Sequence, residues 1–169
     1  MPAPHDDDAF GGAQFTLTRR VEAPRDIVWQ LWTDPDELTY WFHPRDARAP
    51  REHISVDLRV GGRYLYTVID NHNGDETVFG GAYIEIREPE RLAFTWGRPD
   101  EPLEEATVVT VTLAEHGERT EITVHVQGLA GRPGEGRAYD GWDQALDAIR
   151  AKIDAWALQR VDRNWWTKS

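Results

Sequence analysis

Residues 138–161 read AYDGWDQALDAIRAKIDAWALQRV, and their spacing decides the fold. Tyr139, Trp142, Leu146, Ile149, Ile153 and Trp156 recur at intervals of three and four, the period of one helical face. Asp140, Asp143, Asp147, Arg150, Lys152 and Asp154 lie off that stripe. A helix from Ala138 to about Val161 is roughly 36 Å long at about 1.5 Å per residue. That length crosses a whole sheet, so the chain upstream must supply the surface that the stripe covers.

Upstream, the period is two. Phe15, Leu17, Arg19 and Val21 alternate with Thr16, Thr18 and Arg20, as a half-buried strand requires. Pro24 fits the first turn of a helix with Ile27, Val28, Leu31 and Trp32 on its apolar face. Asp34 is placed as N-cap of a second short helix, with Pro35 at its first position and Glu37 where a capping box wants a carboxylate. Leu38, Trp41 and Phe42 form that helix's apolar face, and Pro44 stops it. A weak strand is expected over His53–Leu58, and stronger ones over Arg63–Ile69, Thr77–Ile86, Leu92–Trp96, Thr107–Leu113 and Thr120–Val126. Asn73-Gly74 predicts a two-residue hairpin turn with positive φ at both positions. Short links of this kind make an antiparallel meander with one covered face. The expected fold class is α+β: strand, two short helices, about six strands, long helix.

Residues 1–13, with Pro2, Pro4, three Asp and two Gly, read as a disordered acidic tail. Residues 14–162 form one domain, and 163–169, with Trp165-Trp166, a C-terminal tail. Gly128–Gly136 reads as a hinge loop rather than an anion cradle.

Composition removes several function classes. The net charge is −11, from 30 acidic and 19 basic residues, which repels nucleic acid and anionic membrane surfaces. There is no Cys, which excludes disulfides, thiolate catalysis and Cys-ligated metal. Neither a signal peptide nor a membrane-spanning apolar run is present, so a cytoplasmic location is expected. Ser55 and Ser169 are the only serines, and neither sits in a nucleophile elbow. His43, His53, His72, His116 and His125 show no metal-ligand spacing. Asp70–Asp75 is a hairpin tip rather than a cation loop, and no metal or cofactor is expected.

Eight Trp, five Tyr and five Phe favour a roomy interior lined by rings. A curved sheet and a straight helix need not close everywhere, and the gap between them is the natural pocket. The expected lining is Trp41, Tyr64, Tyr66, Phe94, Trp96, Val109, Trp142, Leu146 and Ile149, with His43 at the mouth. His43 is the titratable residue best placed for proton transfer, although a partly exposed residue near a helix end is the plainer reading. Asp140 and Asp143 flank Trp142 where carboxylates favour a helix N-terminus.

Five blocks carry a family resemblance. They are Ala23-Pro24 through Val28-Trp29; Trp32-Thr33-Asp34-Pro35 leading to Trp41 and Pro44; Gly61-Gly62-Arg63-Tyr64; Gly81-Ala82-Tyr83 through Pro89-Glu90-Arg91-Leu92 to Thr95-Trp96; and Gly141–Leu146. In this order, over roughly residues 15–160, the chain resembles the SRPBCC superfamily, START-like and related to Bet v folds. Within it, the likeness is to bacterial proteins similar to the C-terminal domain of the activator of the heat-shock-protein-90 ATPase. The resemblance implies a helix-grip fold, a curved antiparallel sheet wrapped round the last helix, with a cavity for a hydrophobic ligand. It brings no catalytic motif, because the superfamily spans carriers, sensors, cyclases and co-chaperone domains. The leading expectation is therefore a domain that binds a small hydrophobic or aromatic molecule. The alternatives are a cyclase or dehydratase using His43 with a Tyr, and a partner-binding domain for a chaperone. A homodimer through the outer sheet face is also left open.

Overall fold

The computed structural model describes residues 14–100, 106–128 and 135–167. The alternating segments form strands: β1 (Phe15–Val21), β4 (Arg63–Asp70), β5 (Glu76–Arg87), β6 (Arg91–Trp96), β7 (Thr107–His116) and β8 (Arg119–Gln127). Two two-residue strands, β2 (Ala47–Arg48) and β3 (Ser55–Val56), flank a single 3₁₀ turn at Arg51–His53. The helices are α1 (Arg25–Thr33), α2 (Pro35–Trp41) and α3 (Glu135–Thr167).

The sheet is antiparallel and eight-stranded, in the order β1-β8-β7-β6-β5-β4-β2, with β3 also paired to β4. Hairpins link β4 through β6 and then β7 to β8, and β1 returns to pair with β8. The register aligns like with like: Phe15 faces Val126 and Leu17 faces Val124, so their side chains share the covered face. A bulge between Tyr83 and Glu85 shifts the β5–β6 register and bends the sheet. Gly81 fits the close approach of these two strands, since a Cβ there would lie 1.9 Å from the Thr95 carbonyl oxygen. This is the expected helix-grip arrangement, with α3 burying Ala138, Trp142, Ala145, Leu146, Ile149 and Ile153.

Several local expectations are corrected. The weak strand over His53–Leu58 is a 3₁₀ turn followed by only Ser55–Val56, because little of the segment faces the core. The Asn73-Gly74 turn is a five-residue loop, with Gly74 at φ 78° and no other residue type at positive φ. Asp70 Oδ1 accepts from the His72 N–H at 2.7 Å and Asn73 Oδ1 from the Asp75 N–H at 2.8 Å. These side-chain bonds shape a wider loop than the dipeptide alone requires. Pro24 is the N-cap of α1 rather than its first residue. Asp34 caps α2 as expected, accepting from the Asp36 N–H, but Glu37 reaches Lys152 of α3 at 3.0 Å. Tyr139 leaves the buried stripe and packs edge-on against Phe15 at 5.2 Å. Helix α3 begins at Glu135 and runs to Thr167, past Val161 and into the expected tail at 163–169. The acidic tail at 1–13 and residues 129–134 of the hinge loop lie outside the described residues. Among the described residues no helix is long and apolar enough to cross a membrane.

Candidate functional site

The register of β4, β5 and β6 concentrates rings on one part of the covered face. Tyr64 lies opposite Gly81, Tyr66 opposite Phe79, and Tyr83 opposite Phe94. Helices α1 and α2 bring Trp32, Trp41 and Phe42 over these strands, and α3 adds Trp142 beside them. Among the described residues, ten rings form one connected network. Phe42 stacks on Tyr66 at 4.3 Å between centroids, and Tyr66 on Phe79 at 5.3 Å. Phe79 in turn stacks on Trp96 at 5.8 Å, and Trp96 meets Trp142 edge-on at 5.5 Å. Trp32 meets Trp41 edge-on at 4.6 Å and stacks on Trp142 at 6.2 Å.

Inside this network lies a small gap lined by Trp32, Leu38, Trp41, Phe42, Tyr64, Tyr83 and Phe94. Its volume is about 10 Å³. That is room for about one water molecule.

Of the expected lining, Trp41, Tyr64 and Phe94 meet at this gap. Tyr66, Trp96 and Trp142 stand one ring further out. Val109, Leu146 and Ile149 are fully buried in the core and do not line the gap. His43 is partly exposed, and its Nδ1 donates to the Pro44 carbonyl oxygen at 2.8 Å. It is not brought to the gap, so the pairing of His43 with a Tyr is not assembled here.

Four lining residues were not expected. Trp32 and Phe42 sit on helical stripes that packing explains, which hides any second role. Leu38 is masked in the same way. Tyr83 was legible in principle, because it shares its strand face with Phe79 and Gly81, opposite the Tyr64 and Tyr66 pair.

The polar tips of the rings are mostly engaged. Trp41 Nε1 donates to the Leu31 carbonyl at 2.7 Å, and the Tyr64 hydroxyl donates to the Thr95 carbonyl at 2.7 Å. Trp96 Nε1 donates to the Tyr66 hydroxyl at 2.7 Å. Trp32 Nε1 and Trp142 Nε1 are buried with no acceptor among the described residues. Burial pushes the Tyr64 phenol well above its ordinary value, helped by the neighbouring phenols of Tyr66 and Tyr83. Burial also raises Tyr66, opposed by the bond from Trp96, and raises Tyr83, helped by the charge of Asp57. These phenols are neutral at ordinary pH, so they can orient a guest but cannot serve as bases. Among the described residues no group of three or more His, Asp or Glu is placed to hold a metal ion.

A comparison with curated proteins finds no match. Among solved structures, a protein from Chromobacterium violaceum is similar at 27% identity and a TM-score of 0.72, over 83% of this chain and 96% of that one. An activator-homologue-like protein from Aeromonas hydrophila aligns at 21% identity with a TM-score of 0.71, over 86% of this chain and 95% of that one. An Hsp90 activator from Plasmodium falciparum aligns at 21% identity with a TM-score of 0.61, over 85% of this chain and 97% of that one. Residues 22–154 match the family described as activator of Hsp90 ATPase homolog 1-like protein. That span begins just after β1 and takes in both short helices, every ring of the network and the buried stripe of α3 as far as Ile153, and the chain belongs to this family.

Proposed function

We propose that this chain binds a small aromatic or apolar molecule between α2 and the rings of β4, β5 and β6. The observation that carries this reading is the convergence of seven side chains on a gap inside a ten-ring network. Rings pair in offset-stacked or edge-on arrangements, and a planar guest can join such an array as a further ring. The gap itself takes only a water, whereas drug-sized guests occupy about 300 Å³ or more. Binding therefore requires the wall to move. The movable wall is α2, seven residues long, which carries Leu38 and Trp41 and ends at Phe42. Phe42 lies between the gap and the rings of Tyr66 and Trp142, at 4.3 Å and 6.0 Å from them, so its displacement would bring both to the gap.

The test is native mass spectrometry of freshly purified protein, followed by titration with the neutral fluorophore N-phenyl-1-naphthylamine. One molecule per chain with saturable binding is expected, and Phe42→Leu should tighten it several-fold by enlarging the gap. Absence of saturable binding in both the parent chain and Phe42→Leu sinks the reading.

A second reading, binding of a chaperone partner, draws on the family description and on the outer face of the sheet. Leu65, Val78 and Ile84 are 40%, 45% and 47% exposed there, on β4 and β5. Stimulation of an Hsp90 ATPase by the chain, lost in Leu65→Ser/Val78→Ser, would favour it. No stimulation would remove it.

A further inference from the structure

Ring donors in the network divide into two groups. Trp41, Trp96 and Tyr64 each give their hydrogen to a protein acceptor at 2.7 Å. Trp32 and Trp142, each only 3% exposed, have no acceptor for their indole N–H among the described residues. The two are neighbours, with ring planes 10° apart and centroids 6.2 Å apart. A buried donor without an acceptor is costly, and proteins seldom leave one unmet without a reason.

We propose that Trp32, which lines the gap, donates its hydrogen bond to an acceptor oxygen on the guest, and that Trp142 joins it once Phe42 is displaced, so that the guest is a neutral aromatic carrying a carbonyl, ester or amide. This rests on the ligand-binding reading above. Trp32 lines the gap directly, and Trp142 backs it through the stacked pair. The lining contains no Lys, Arg or His, so a carboxylate would be buried without a cation to compensate it. A pure hydrocarbon would leave both donors unmet. One ordered water is the competing occupant. Its partners on the lining would be the Trp32 N–H, the Tyr83 hydroxyl and the acceptor side of the Tyr64 hydroxyl, whose own hydrogen goes to the Thr95 carbonyl.

The experiment uses the full chain with ¹⁵N-labelled tryptophan and three probes of matched shape: 2-acetylnaphthalene, 2-isopropenylnaphthalene and 2-naphthoate. The ketone is expected to bind about tenfold more tightly than the isosteric alkene, the amount one or two buried hydrogen bonds supply. The indole N–H protons of Trp32 and Trp142 should move downfield with the ketone and not with the alkene. Trp32→Phe and Trp142→Phe should each shrink the ketone's advantage while keeping a ring in place. The shifts in the parent chain give an answer even where a variant folds poorly. Equal affinity for ketone and alkene, with unshifted indole protons, would overturn the acceptor-binding role and leave the ligand-binding reading standing. Tighter binding of the naphthoate would overturn the neutral class. Failure of all three probes to bind would remove both readings together.

Discussion

The two ends of the sheet are packed by different chemistry. On β1, β7 and β8 the covered face is aliphatic except for Phe15 at its rim: Leu17, Val21, Val109, Val111, Leu113, Ile122, Val124 and Val126 are all buried. On β4, β5 and β6 it is aromatic, and the short helices answer with Trp32, Trp41 and Phe42. Branched aliphatic chains interdigitate and carry no polar atom, so their burial asks for no hydrogen-bond partner. Flat rings meet at fixed preferred angles, leave a gap between them, and bring N–H and O–H groups that each need a partner. The same fold thus holds a wall built for stability and a wall with an unfilled place. Putting the rings at one end of the sheet localises both the gap and the unmatched donors there.

The largest test of this contrast is pH. Burial raises the Tyr64, Tyr66 and Tyr83 phenols above their ordinary value. A folded pKa above the unfolded one, about 10, means that the folded chain holds its protons more tightly. The stabilisation is whole below about pH 10 and is lost as pH rises through the folded values. At pH 11 each unfolded phenol has given up its proton, a difference of about 1.4 kcal/mol per group, or about 4 kcal/mol for three. Urea unfolding at pH 9 and pH 11 measures it. Tyr66→Phe/Tyr83→Phe should lose far less stability over that interval than the parent chain. An equal loss in both would show that the aromatic end is wetter than its packing implies.

The aliphatic wall was readable from alternation alone, because each of its strands obeys a period of two and its register puts like side chains together. The long helix and its stripe were equally plain. The gap was legible only by half. Tyr64, Trp41 and Phe94 were found because large rings on a covered face need room. Trp32 and Phe42 were not, since a ring on a helical stripe satisfies the packing rule whether or not it borders a cavity. Tyr139 fits the spacing of the stripe yet stays half-exposed, because the rotation of α3 over β1 points it at Phe15 on the rim of the sheet. The Asn73-Gly74 loop went astray for a local reason: Asp70 and Asn73 bind backbone N–H groups and favour a longer turn. What neither period nor composition encodes is which ring donors find an acceptor.

A second test cuts the aliphatic wall. Ile122 is fully buried on β8, between β1 and β7. Ile122→Ala removes three carbons from a fully buried position, and should cost about 3 kcal/mol, read as a lower urea midpoint. Affinity for N-phenyl-1-naphthylamine should be unchanged. A variant that gained a second probe site would show that the aliphatic end can also open.

The smallest expected effects compare the two clasps on α3. At the aliphatic end Arg19 of β1, 17% exposed, pairs with Asp143 and, at 3.3 Å, with Asp147. The pairing explains why both carboxylates occupy adjacent turns of one helix face, beyond any effect of the helix dipole. At the aromatic end Lys152 lies 3.0 Å from Glu37 and 3.4 Å above the ring of Tyr40, tying α3 to α2. Each clasp is partly open to solvent, so Arg19→Ala and Lys152→Ala should each cost about 1 kcal/mol or less, shrinking as salt is added. Their consequences for binding should nevertheless differ. Of the two, Lys152 alone touches α2, the helix proposed above as the wall that moves, so Lys152→Ala should speed probe entry in stopped-flow fluorescence, while Arg19→Ala should leave entry unchanged. Equal entry rates in the two variants would mean that α2 is not the wall that moves, and would shift the path to the gap toward the rings of β5 and β6.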